Sequence, residues 1–225
     1  MNKKIIGKNE LEFVLNALVY LGEKYDDTSF LKTFVLVGGS ALCFQDVRAL
    51  SADIDFFTEY SVKKYNILDE VKQMFFERFG EKLEIDTTNS NFIWGQISIG
   101  DINKRPVARE IRGEKGLYQI KMLDPESLFI VKTEAMRDQD IEDLKILKNY
   151  TTKPKILNRF NELLSYNDIN TMSTIAENLL GELQIQYFEP ITKEDIDLLK
   201  IPDYFLDQMK ESFGLDLLQD DEKMV

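Results

Sequence analysis

Val37-Gly38-Gly39-Ser40 is followed, thirteen residues after the serine, by Asp53-Ile54-Asp55-Phe56-Phe57. The run Thr33 to Val37 is apolar and rich in branched and aromatic side chains, and two glycines stop it, which predicts a buried strand. Ser40 to Phe44 then reads as the first turns of a helix. A strand that ends in Gly-Gly lets the backbone approach a phosphate closely, and the helix behind it presents its amides to the anion. The Ser40 hydroxyl offers one more donor. Asp53 and Asp55 alternate with apolar residues, so on a strand both carboxylates face the same way. Hard divalent cations take such oxygen ligands, and magnesium held there bridges phosphates for in-line attack by a hydroxyl.

The rest of the composition narrows the chemistry. The 225 residues contain no histidine, which excludes Ser-His-Asp and Cys-His catalysis and every histidine-ligated zinc site. Cys43 is the single cysteine, so there is no internal disulfide and no cysteine-rich metal centre. Hydrophobic residues at 44% and charged residues at 30% describe a folded globular chain. A net charge of −12 argues against a protein that coats nucleic acid through its overall field. Met1 to Glu10 is polar and unlike a secretory signal, and no stretch approaches the apolar length of a membrane helix. A cytoplasmic location is the expectation.

Apolar spacing predicts helices over Leu11 to Glu23 and Lys63 to Phe79. Lys82 to Asp86 and Phe92 to Ile99 read as antiparallel strands joined by a turn at 87–90, and Leu117 to Met122 as another strand. Pro106, Gly113 and Gly116 suggest irregular chain between them. Asp124-Pro125-Glu126 is a helix start, with a helix to about Met136 and a second over Asp140 to Asn149. From Pro154 onward the pattern is helical. The expected architecture is α/β (α+β), a short mixed sheet over residues 1–150 followed by an all-α region over 151–225.

Val37-Gly38-Gly39-Ser40-Ala41-Leu42, then Arg48 through Ser51 to Asp53-Ile54-Asp55-Phe56-Phe57, resembles the nucleotidyltransferase superfamily related to DNA polymerase beta. Within it, the similarity is to AbiEii-type nucleotidyltransferase toxins of type IV toxin–antitoxin systems. Asp124-Pro125-Glu126-Ser127-Leu128, Lys132, Ala135, Arg137 and Asp140-Ile141-Glu142-Asp143-Leu144 extend it. The resemblance implies a nucleotidyltransferase fold and transfer of a nucleoside monophosphate from an NTP, with Mg2+, to an acceptor such as a tRNA 3′ end. It implies that Gly38, Gly39 and Ser40 hold the nucleotide phosphates, that Asp53 and Asp55 bind magnesium, and that Lys132 and Asp140 complete the catalytic set. Arg48 and Arg137 are the further candidates for phosphate contact, and Asp143 is expected to be structural. A third carboxylate is usual in the superfamily. Asp101 is the acid nearest the expected slot and completes the metal set Asp53, Asp55 and Asp101. Asp86, at the end of an earlier strand, remains an alternative, and so does a site without a third acid.

Residues 102–122 carry Lys104, Arg105, Arg109, Arg112, Lys115 and Lys121 against Glu110 and Glu114. This segment is read either as a landing surface for an RNA backbone or as a solvated mobile loop. A cognate antitoxin is the other expected partner, and no membrane is. The competing functions are transfer to a small molecule or protein, and a degenerate nucleotide-binding protein without turnover.

Overall fold

In the computed structural model, residues 6–58, 66–88, 105–164 and 169–215 are described. The chain divides into two compact units, residues 1–124 and 125–225.

The first unit contains α1 (Lys8–Lys24), β1 (Val35–Leu36), α2 (Gly38–Phe44), β2 (Ile54–Phe57), α3 (Ile67–Phe79), β3 (Ile85–Thr88), β4 (Val107–Arg112) and β5 (Leu117–Met122). Among the described residues the strands form one mixed sheet in the order β3-β2-β1-β5-β4. β1 runs antiparallel to β2 and parallel to β5, and β2 runs parallel to β3. Parallel neighbours require a crossover, and α3 lies in the one between β2 and β3. Ile54 and Phe56 point to one face of β2 and are fully buried. Phe56 stacks on Phe34 at 4.3 Å, while Phe13, Phe75 and Phe79 meet where α1 packs on α3. Each fully buried phenylalanine is worth about 1.5–3 kcal/mol of transfer free energy.

Several sequence boundaries move. The helix expected at Ser40 starts at Gly38, and the one expected at Lys63 is described from Ile67. β3 continues through Thr87 and Thr88, where a turn was expected, because it pairs parallel with β2 residue for residue. Phe92 to Ile99 lies outside the described residues.

The segment around Pro106 is largely not irregular. Val107–Arg112 is β4, paired antiparallel with β5 and turning at Gly113–Gly116. Its sequence hides it, since only Ile111 among its six residues is buried and three of its side chains are charged. The turn is fastened to the end of α1. Glu23 accepts hydrogen bonds from the Glu114 and Lys115 amides at 2.8 and 2.7 Å, and from the Tyr118 hydroxyl at 3.0 Å. Burial pushes the Glu23 carboxyl up, but these donors outweigh it and hold it below the usual carboxylate range. A Cβ on Gly113 would collide with that carboxylate and have to displace it.

The second unit is all helix among the described residues: α4 (Pro125–Ala135), α5 (Asp138–Leu147), α6 (Lys153–Leu163), α7 (Ile169–Tyr187), α8 (Lys193–Asp197) and α9 (Asp203–Ser212). α4 is its centre, buried from Ser127 through Thr133 and packed against α5, α6 and α7. The helical unit therefore takes in α4 and α5 and begins earlier than the composition shift near residue 150. Arg159 of α6 donates to Ser127 at 2.9 Å, and Asp195 caps α8 while pairing with Lys153 at 2.9 Å. No helix among the described residues is long and apolar enough to cross a membrane.

Glu23→Ala should speed hydrogen exchange at the Glu114 and Lys115 amides and leave protection in residues 125–164 unchanged. Native protection at both amides would show that sheet pairing alone holds the turn.

Candidate functional site

Gly38 opens α2 with φ +54, a left-handed conformation that disfavours any side chain. The reason lies across the sheet. A Cβ at Gly38 would drive into the Asp55 carboxylate, and one at Gly39 would stand 2.5 Å from Ser51 Oγ. The two glycines thus let the start of α2 lie directly against the acidic strand. Val37 donates its amide to the Asp55 carbonyl at 3.1 Å, which locks β1 to β2 at that point.

Ser40 ties the start of α2 to the acidic strand. It is fully buried, its hydroxyl accepts the Asp55 amide at 2.9 Å, and it donates to the Asp53 carbonyl at 3.3 Å. Ser40 therefore fixes the backbone on either side of Ile54, and with it the directions of both aspartates. Arg48 is half-buried, with Nη1 3.8 Å from the point a Gly39 Cβ would occupy. Ser51 is buried and exchanges backbone hydrogen bonds with Ile6 at 2.6 and 2.8 Å.

Asp55 pairs in register with Asp86 of β3, and Asp53 lies two residues before Asp55. Oxygen atoms of Asp53, Asp55 and Asp86 all lie within 4.8 Å of one another. Asp53 and Asp55 are half-buried, and Asp86 is exposed. Of the two acids that spacing left open, Asp86 is the one this register brings to the pair, whereas Asp101 lies outside the described residues. Three hard anionic oxygens this close repel one another unless a cation lies between them. The donor set therefore fits magnesium.

Lys132, Arg137 and Asp140 come together in the second unit. The connection from α4 to α5 is two residues long, with Met136 at φ 47. It lets the start of α5 fold back on the last turn of α4. Lys132, 4% exposed, donates to Asp140 at 2.6 Å and pairs with Asp143 at 2.8 Å. Arg137 grips Asp140 from the other side, Nε to Oδ2 at 2.6 Å and Nη2 to Oδ1 at 3.2 Å, with its own side chain 73% exposed. Burial would push the Asp140 carboxyl up, yet the Arg137 and Lys132 hydrogen bonds outweigh it and hold it below the usual carboxylate range. Asp143, expected to be structural, is the second carboxylate on Lys132. Asp140 and Asp143 are spaced i, i+3 on one helical face.

The basic segment is an anchored hairpin in which three of the six basic side chains stand beside acids. Arg105 is buried and pairs with Asp124 at 2.8 Å, Lys115 pairs with Asp26 at 2.8 Å, and Arg109 lies 3.9 Å from Glu12. Lys104 lies outside the described residues.

Two variants test this geometry. Gly38→Ala should displace Asp55 and weaken Mn2+ binding, read by electron paramagnetic resonance, by about tenfold or more with the far-ultraviolet circular dichroism preserved. Unaltered affinity would show that Asp55 does not depend on the close approach. Asp140→Asn should cost about 3–5 kcal/mol of urea stability at pH 7, since it leaves Lys132 short of a buried partner. Because the folded carboxyl is depressed, its stabilisation is complete above the unfolded value of about 4 and fades as pH falls through the depressed one. The difference between wild type and Asp140→Asn should therefore shrink in strong acid. A gap that stays constant to pH 2 would contradict the assignment.

Residues 101–162 match the family model described as nucleotidyl transferase of unknown function (DUF2204). The matched span runs from before β4 into α6 and contains Lys132, Arg137, Asp140 and Asp143, but not the Gly-Gly turn or the three clustered aspartates. No curated protein and no solved structure matches the chain.

Proposed function

We propose that the protein is a magnesium-dependent nucleotidyltransferase that moves a nucleoside monophosphate from an NTP to an acceptor hydroxyl. The observation that carries this reading is the convergence of Asp53, Asp55 and Asp86 beside a Gly-Gly turn. The similarity of residues 101–162 to a nucleotidyl transferase family supports it from a separate stretch of chain.

In this reading Asp53 and Asp55 are the principal metal ligands, and Ser40 holds their backbone. A divalent ion bound there supplies neutralisation of phosphate charge. Asp86, the exposed member, is placed to take the proton from the acceptor hydroxyl. The acceptor oxygen then bonds to the α-phosphorus, the bond from that phosphorus to the β-phosphate oxygen breaks, and pyrophosphate leaves. Gly38 and Gly39 give the nucleotide phosphates access to backbone, with Arg48 beside them. Lys132 and Arg137, organised by Asp140, supply positive charge for the phosphates, as the resemblance to AbiEii-type enzymes implies.

That resemblance also implies a toxin that modifies tRNA 3′ ends and answers to an antitoxin. The paired charges of Arg105, Lys115 and Arg109 favour a second reading of the acceptor. An RNA backbone would find fewer available cations on this hairpin than its composition suggests, which suits a small-molecule or protein hydroxyl.

The test is a transfer assay with each α-labelled NTP, magnesium, and total RNA, total protein or small-molecule acceptors in separate reactions. Label should enter one acceptor class with wild type. Asp53→Asn, Asp55→Asn and Asp86→Asn should each lower the rate by about a hundredfold or more. Undiminished transfer by Asp53→Asn or Asp55→Asn would remove the metal assignment. Nucleotide binding with no labelled product in any reaction would leave a binding protein without turnover.

A further inference from the structure

The second unit holds a four-membered charge chain that the transferase reading uses only in part. It runs Asp143, Lys132, Asp140, Arg137, alternating in sign, from a buried end to an exposed one. Asp140 is shared. Its oxygens accept from Arg137 as well as from Lys132, so its hold on the Lys132 ammonium is divided with an exposed arm. Asp143 pairs with Lys132 at 2.8 Å, and both partners are buried.

We propose that Asp143 is a positioning residue for nucleotidyl transfer, fixing the Lys132 ammonium in the place from which it meets substrate phosphate charge. The inference deepens the transferase reading and rests on it. A lysine ammonium ends a flexible four-carbon stem, and one acceptor leaves it free to swing about that contact. Two carboxylates on successive turns of α5 define its position. They also balance the cluster, two negative charges against two positive. Asparagine at 143 keeps the shape and removes the charge. Glutamate keeps the charge at a longer reach.

The experiment uses the full chain. Steady-state transfer of labelled NTP is measured for wild type, Asp143→Asn, Asp143→Glu and Leu144→Ala. Leu144 is a fully buried neighbour on the same helix and serves as a destabilised control without a charge change. The expected result is that Asp143→Asn lowers kcat/KM by about tenfold, Asp143→Glu recovers most of it, and folded Leu144→Ala stays within about twofold of wild type. Nitrogen-15 spectra of the lysine side chains give a readout independent of turnover. The Lys132 ammonium signal should be protected from exchange in wild type and lost in Asp143→Asn.

Wild-type kcat/KM in Asp143→Asn, or an equal loss in Leu144→Ala, overturns the proposal and leaves the transferase reading standing. Persistence of the protected Lys132 signal in Asp143→Asn overturns it as well. An inactive wild type overturns the transferase reading and this proposal with it.

Discussion

The contact between Gly38 and the Asp55 carboxylate is the constraint around which the first unit is arranged. A helix and a strand normally keep a side chain's width between their backbones. Here the absence of a Cβ at Gly38, together with its positive φ, removes that spacing. The Val37 amide reaches the Asp55 carbonyl, and the Ser40 hydroxyl bridges the Asp53 carbonyl and the Asp55 amide. Both acidic residues are thereby held through their backbones. Parallel pairing with β3 then adds Asp86 to the same face.

The second unit handles charge in the opposite manner. In the first, three carboxylates are gathered within 4.8 Å of one another, an arrangement that fits a metal. In the second, opposite charges alternate and neutralise one another within a buried cluster. Isolated burial of Lys132, Asp140 or Asp143 would cost several kcal/mol, so each of the three depends on the others. The similarity to a nucleotidyl transferase family covers this second cluster and not the first.

Much of this was legible in the chain. Gly-Gly after an apolar strand and the i, i+2 aspartates are local patterns, and their consequences follow from backbone geometry alone. β4 was not legible, because Arg109, Glu110 and Arg112 mask the alternation an edge strand would otherwise show. Asp86 could be offered only as an alternative, since its meeting with Asp55 depends on the register between β2 and β3 across a crossover. Local sequence does not encode that register. Ser40 was read as a phosphate donor because a hydroxyl after Gly-Gly suits an anion; only the fold shows that it also bridges the Asp53 carbonyl and the Asp55 amide. Asp143 was read as structural, and its pairing with Lys132 depends on the turn that returns α5 to that lysine.

The most direct test of the central claim is to locate a bound divalent ion. Crystals of the full chain grown with Mn2+ and a non-hydrolysable NTP should give an anomalous peak about 2–2.5 Å from carboxylate oxygens of Asp53 and Asp55, with Asp86 in its immediate surroundings. A peak at other residues, or clear nucleotide density with no metal beside these aspartates, would contradict the account.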